Sequence, residues 1–160
     1  MPSVNPGPAS SQSGQSVSVM APVAPSPSNP FPQGTAALRL LAFKQGVNAN
    51  AVGDTAMSII NSSAWTAATV VLSNASVSLT TAAAGIFTAP AAGGTAIRAN
   101  AALAALTGPT VTNAAAAAAA ALALKATGQT IYVNVATAQG APATFDVYVY
   151  GYDLSPVSYP

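Results

Sequence analysis

From Thr144 to Leu154 the chain alternates cleanly between two sets of side chains. Phe145, Val147 and Val149 fall on one side of an extended strand and Tyr148, Tyr150 and Tyr152 on the other, because successive strand residues point to opposite faces. The first set suits a core. The second puts three aromatic rings where a water-facing strand carries charge or small polar groups. The same period of two recurs upstream. In "TAALRLLAF" (35–43), Leu38 and Leu40 oppose Arg39 and Leu41. "DTAMSII" (54–60) is a second short strand. "WTAATVVLSNASVSL" (65–79) is a long one marked by Val70, Leu72, Val77 and Leu79, with a bend or bulge at Ser73–Ala75. "GIFTAP" (85–90) is stopped by Pro90, and "TAIRANAALAAL" (95–106) fits a strand or a helix. In "QTIYVNVAT" (129–137), Ile131, Val133 and Val135 oppose Tyr132 and Asn134.

Turn signals separate these runs. "AAGG" (91–94) supplies consecutive glycines, which reach positive φ without steric cost. "AQGAPA" (138–143) joins the last two strands, which the spacing predicts to be a hairpin. About seven or eight short strands with turns between them predict a mainly β domain over 35–160, a jelly-roll-like sandwich or small barrel. "NAAAAAAAALALKATG" (113–128) cuts across that pattern. Alanine is the best helix former, Asn113 suits an N-cap, Lys125 a last turn and Gly128 a C-terminal stop. Leu122 and Leu124 alternate, however, so a short helix or irregular passage followed by a strand is expected.

Residues 1–34 belong to a different regime. Most of the 13 prolines fall between Pro2 and Pro32, with Ser, Gln, Asn and Gly filling the gaps and no charge before Arg39. Proline fixes φ and removes donors, so this stretch predicts an extended arm. Val17, Val19 and Met20 alternate with small polar residues, a pattern suited to addition at a sheet edge; a disordered tail is the equally weighted alternative.

Composition sharpens the functional question. Charged residues make up 4% of the chain, four basic and three acidic, against roughly 25% in ordinary domains. Nearly half of the 51% apolar fraction is alanine, whose methyl contributes much less than the ~1.5–3 kcal/mol of a larger apolar side chain. So thin a core implies reliance on backbone hydrogen bonding and on contacts with other chains. Four scattered basic residues make no phosphate-binding stripe, which argues against nucleic acid as a partner. No run of membrane-spanning length and no secretory leader is read in the sequence.

The chain has no Cys, His or Glu. Triads built on His or Cys are therefore impossible, zinc has no ligand set, and three scattered Asp make a poor calcium site. Asp146 and Asp153 lie seven residues apart and face opposite ways on one strand, although Asp54 is free to approach either in space. No GxGxxG or P-loop pattern occurs. The expectation is therefore no enzyme, no metal and no cofactor. What remains is aromatic and aliphatic: Trp65, Tyr148, Tyr150 and Tyr152, with Val17, Val19, Met20 and Phe31 of the arm, are the candidate interface residues, since such side chains are enriched where proteins bury one another. Asp146, at the base of the tyrosine stripe, is expected to accept a tyrosine hydroxyl or pair with a basic neighbour.

Two stretches, "TVVLSNASVSLTTAAAGIFTAPAAGG" (69–94) and "IYVNVATAQGAPATFDVYVYGYDL" (131–154), resemble the decoration or cement proteins of tailed-bacteriophage heads in pattern and composition, over roughly a third of the chain. The resemblance implies a β-rich, frequently trimeric protein on the outer capsid surface of the virion, with the major capsid protein and its own copies as partners, clamping neighbouring capsid subunits. The alternative is a fibre, tail or surface module that binds carbohydrate through its Trp and Tyr rings.

Overall fold

A computed structural model describes residues 38–156. Eight strands carry the chain: β1 (Leu38–Asn48), β2 (Gly53–Ser58), β3 (Trp65–Ser73), β4 (Ala83–Ala89), β5 (Gly93–Ala102), β6 (Asn113–Ala116), β7 (Thr130–Thr137) and β8 (Thr144–Asp153), with one short helix, α1 (Ala119–Leu122), before β7. They form two four-stranded sheets, ordered β1-β8-β3-β6 and β2-β7-β4-β5. First pairs with last, second with seventh, third with sixth and fourth with fifth, all antiparallel. That is a β hairpin wrapped into two layers, the strand order of a jelly roll.

The core lies between the layers and follows the alternation. Phe145, Val147 and Val149 of β8 are fully enclosed, as are Ile131 and Val133 of β7, Val70 and Leu72 of β3, and Ile86 and Ile97 of the second sheet. Alanines fill much of the rest. Small side chains bring backbones close, and Gly151 of β8 is where this is most acute. A Cβ there would overlap the Thr66 carbonyl and sit 2.5 Å from Leu41 Cδ1 and 2.9 Å from Ala67 Cα. Both neighbouring strands are irregular at this level, with register shifts between Leu40 and Ala42 and between Ala67 and Thr69. The Leu41 carbonyl at the β1 irregularity accepts the Ile60 N–H at 2.7 Å, so the ladder bond displaced there finds another partner.

Several expectations are corrected. The last two strands are no hairpin: β7 and β8 lie in different sheets, and residues 138–143 carry the chain across the sandwich. The alternation is identical in both cases, since each strand needs one buried face wherever it sits. The long strand at 65–79 stops at Ser73; Asn74 has φ 53°, and beyond it Val77 is exposed while Leu79 is buried. Residues 93–102 are strand. The 91–94 turn exists, but its positive φ angles fall on Ala91 (56°), Ala92 (54°) and Gly94 (68°), with Gly93 outside that set.

The alanine run reverses the expected order, strand first and helix second. Asn113–Ala116 pairs with Leu72–Thr69. The chain then bridges the layers, Ala117 N–H donating to Ala68 O and Ala118 N–H to Ile97 O, both at 2.8 Å. An isolated helix of this length is marginal even for alanine, so two sheets offering backbone acceptors override propensity. The four-residue helix that survives begins after Ala118, with no side-chain cap.

Two stability changes follow. Gly151→Ala should cost about 3 kcal/mol in urea unfolding, since the methyl meets backbone on one side and core on the other, while Gly108→Ala, with open space around its Cβ position, should stay within about 0.5 kcal/mol. Ala92→Gly should raise stability by about 0.5–1 kcal/mol by relieving a left-handed alanine.

Candidate functional site

The outer face of the β1-β8-β3-β6 sheet is the feature the fold does not use internally. Register sets its membership. Tyr152, Tyr150 and Tyr148 of β8 stand opposite Leu38, Leu40 and Phe43 of β1, and on the other side opposite Thr66, Thr69 and Val71 of β3. Ala116 and Ala114 of β6 extend the rows from Thr69 and Val71. Leu38 is 53% exposed, Phe43 46% and Tyr152 37%; Tyr148, Tyr150 and Leu40 are half-buried. The Phe43 and Tyr148 rings stack with centroids 6.3 Å apart and planes 11° from parallel, a cross-strand aromatic pair. Gln45 Nε2 reaches the Tyr148 hydroxyl at 3.4 Å.

No charged side chain occupies a row of this face except Asp146 at its end, and that group is buried and committed. Its Oδ1 accepts the Gly46 N–H at 2.8 Å and its Oδ2 the Asn74 side-chain amide at 3.0 Å. The expected tyrosine hydroxyl or basic neighbour is absent from its partners. Asp146 instead ties an irregular stretch of β1, where Gly46 has φ 64°, to the left-handed Asn74 that ends β3.

The other carboxylates do similar work. Asp153, at the far end of β8, pairs with Arg39 at 2.7 Å and accepts hydrogen bonds from Ser62 Oγ at 2.7 Å and Ser155 N–H at 2.9 Å. Arg39 also donates to the Ile60 carbonyl. Burial alone would push the Asp153 carboxyl up; the hydrogen bonds from Ser155 and Ser62, with the Arg39 charge, outweigh it and hold the group below the usual carboxylate range. Asp54 accepts from Asn134 Nδ2 at 2.8 Å and from the Ala91 N–H at 2.6 Å, joining β2 and β7 to the strained β4–β5 turn. All three acids are thus cross-links between segments distant in sequence, and among the described residues no cluster of acidic groups comes together. Of the bases, Arg39 is used internally and Arg98 donates to the Ala84 carbonyl at 2.9 Å; burial lowers the Arg98 pKa. Lys44 and Lys125 face solvent.

The expected interface residues separate into three groups. Tyr148, Tyr150 and Tyr152 share the bare face. Trp65 does not: it is 2% exposed, its indole N–H donates to Gly128 O at 2.8 Å, and its backbone exchanges two 2.8 Å hydrogen bonds with Ala126. It is a core residue that fastens the end of the alanine segment. Val17, Val19, Met20 and Phe31 lie outside the described residues. Leu38, Leu40 and Phe43 were missed as site residues. The signal was present, since Leu38 and Leu40 alternate against Arg39, but only the pairing of β1 with β8 puts them beside the tyrosines. Comparison with protein-family models, curated proteins and solved structures finds no match to this chain.

The Asp153 cluster has a definite acid response. Its folded pKa is depressed, so its contribution is fully present above the unfolded value of about 3.9 and is lost as pH falls through the lower folded value. Melting temperature should therefore drop below about pH 4. Asp153→Asn should show a smaller drop over the same window from a lower starting point; equal acid sensitivity in the two proteins would place the titration elsewhere.

Proposed function

We propose that this chain is a virion structural protein that binds in many copies to the outside of a tailed-phage capsid and stabilises the shell by clamping neighbouring major capsid subunits. The observation that carries the proposal is the uncharged aromatic face of the β1-β8-β3-β6 sheet. A free soluble domain covers its surface with roughly 25–35% charged residues; here the described domain closes its own core and leaves a whole sheet face without a free charge. Such a face is suited to contact with protein rather than water. The commitment of all three carboxylates to structural cross-links fits a passive role, in which stabilisation comes from interface free energy summed over many copies. The jelly roll by itself does not choose, because capsid and lectin domains both use it. The tailed-phage setting rests on the resemblance carried by residues 69–94 and 131–154. The carbohydrate-binding alternative draws on the same rings, and burial of Trp65 removes one of them.

The test is addition of purified protein to capsids that lack it, followed by co-sedimentation and by shell stability to heat. Saturable binding with a raised shell melting temperature is expected. Because few charges are available for attachment, affinity should change by less than about threefold between low and moderate salt. Release at moderate salt, or binding that leaves the shell no more stable, would contradict the proposal.

A further inference from the structure

We infer that the outer face of the β1-β8-β3-β6 sheet is a self-association surface, covered by the same face of a second copy of this chain. The inference rests on the functional reading above only in taking the face to be a protein interface; it assigns the occupant.

Size points to a sheet as the occupant. Four strands about 4.8 Å apart, of 11, 10, 9 and 4 residues at ~3.4 Å per residue, give a footprint of roughly 500 Å². Two copies together then remove roughly 1,000 Å², the lower bound for a specific protein interface. That bound is met only when the whole face is covered. One extended segment laid on the sheet spans about 5 Å of its ~19 Å breadth and leaves most of the rings wet. A second four-stranded sheet matches the breadth, and two sheets stack face to face at about 10 Å with strands near −30°.

Charge points to the same chain. Leu38, Leu40, Phe43, Tyr148, Tyr150 and Tyr152 occupy the face with no free charge among them, so apposing two copies buries no unpaired ion and meets no like-charge repulsion. The nearest carboxylate, Asp146, already has its partners. Tyrosines suit such a seam because the ring is buried while the hydroxyl reaches the wet rim. A face packed on its own kind is isologous, so assemblies should contain even numbers of copies, in place of the trimer that the resemblance implies.

Light scattering on the purified full-length protein, without capsids, tests this. The expected mass is twice that of the chain or an even multiple. Phe43→Lys and Leu38→Lys alter exposed side chains of the face and should weaken association by at least about 100-fold, each burying a charge that the symmetric seam cannot pair. Val77→Lys, exposed but off the face, should leave the mass unchanged, and circular dichroism should show all three variants folded. A monomeric wild type at tens of micromolar, a trimer, or equal behaviour of Phe43→Lys and Val77→Lys would overturn the inference. So would dissociation by Val19→Lys but not by Phe43→Lys, which would give the face to the segment before β1. Capsid co-sedimentation of the wild type reports separately: a chain that pairs through this face yet ignores capsids keeps the inference and removes the proposed function.

Discussion

Strand β8 is the member on which the sandwich depends. It is hydrogen-bonded along both edges, to β1 and to β3, and it supplies Phe145, Val147 and Val149 to the core. In a chain so poor in large apolar side chains the backbone ladder, though interrupted at the register shifts of β1 and β3, takes a larger share of the stabilisation, and its cost of misplacement rises accordingly. Both ends of β8 are pinned by a carboxylate, Asp146 through Gly46 and Asn74, Asp153 through Arg39, Ser62 and Ser155. The close approach at Gly151 sits between them. Ionic and polar groups that other domains spread over their surfaces are here drawn inward to hold one strand in register.

That economy explains the surface. Once the acids are committed to cross-links and Arg39 with them, little charge remains to make a sheet face hydrophilic. The second sheet's outer face mixes Tyr132, opposite Phe87, with amides, Asn134 bridging Asp54 and Asn100. The first sheet meets its own with tyrosine, leucine and phenylalanine. The two sides of the sandwich therefore differ in polarity although they share one core.

Much of this was legible in the residues. The mainly β class, most strand positions and the division of β8 into a core face and a tyrosine face follow from period-two alternation alone. Connectivity between layers did not, because Thr130–Thr137 and Thr144–Asp153 would alternate in the same way as a hairpin or as strands of opposite sheets. The alanine run misled because helix propensity is a local quantity, and Ala68 O and Ile97 O, which capture residues 117 and 118, come from strands distant in sequence. Trp65 misled for a related reason: a single large ring among small residues is as suited to the core as to an interface, and the carbonyl of Gly128 that satisfies its indole became visible only in three dimensions. Half of the candidate site was readable from β8; the half contributed by β1 needed the register.

The composition of the chain bears on how the protein meets changes in its surroundings. Its sequence has no histidine and no cysteine, the side chains whose ordinary pKa most readily places a charge change near neutral pH. Mild acidification therefore meets no histidine to charge, and the chain lacks the usual side chain by which a protein surface changes sign in an acidic compartment.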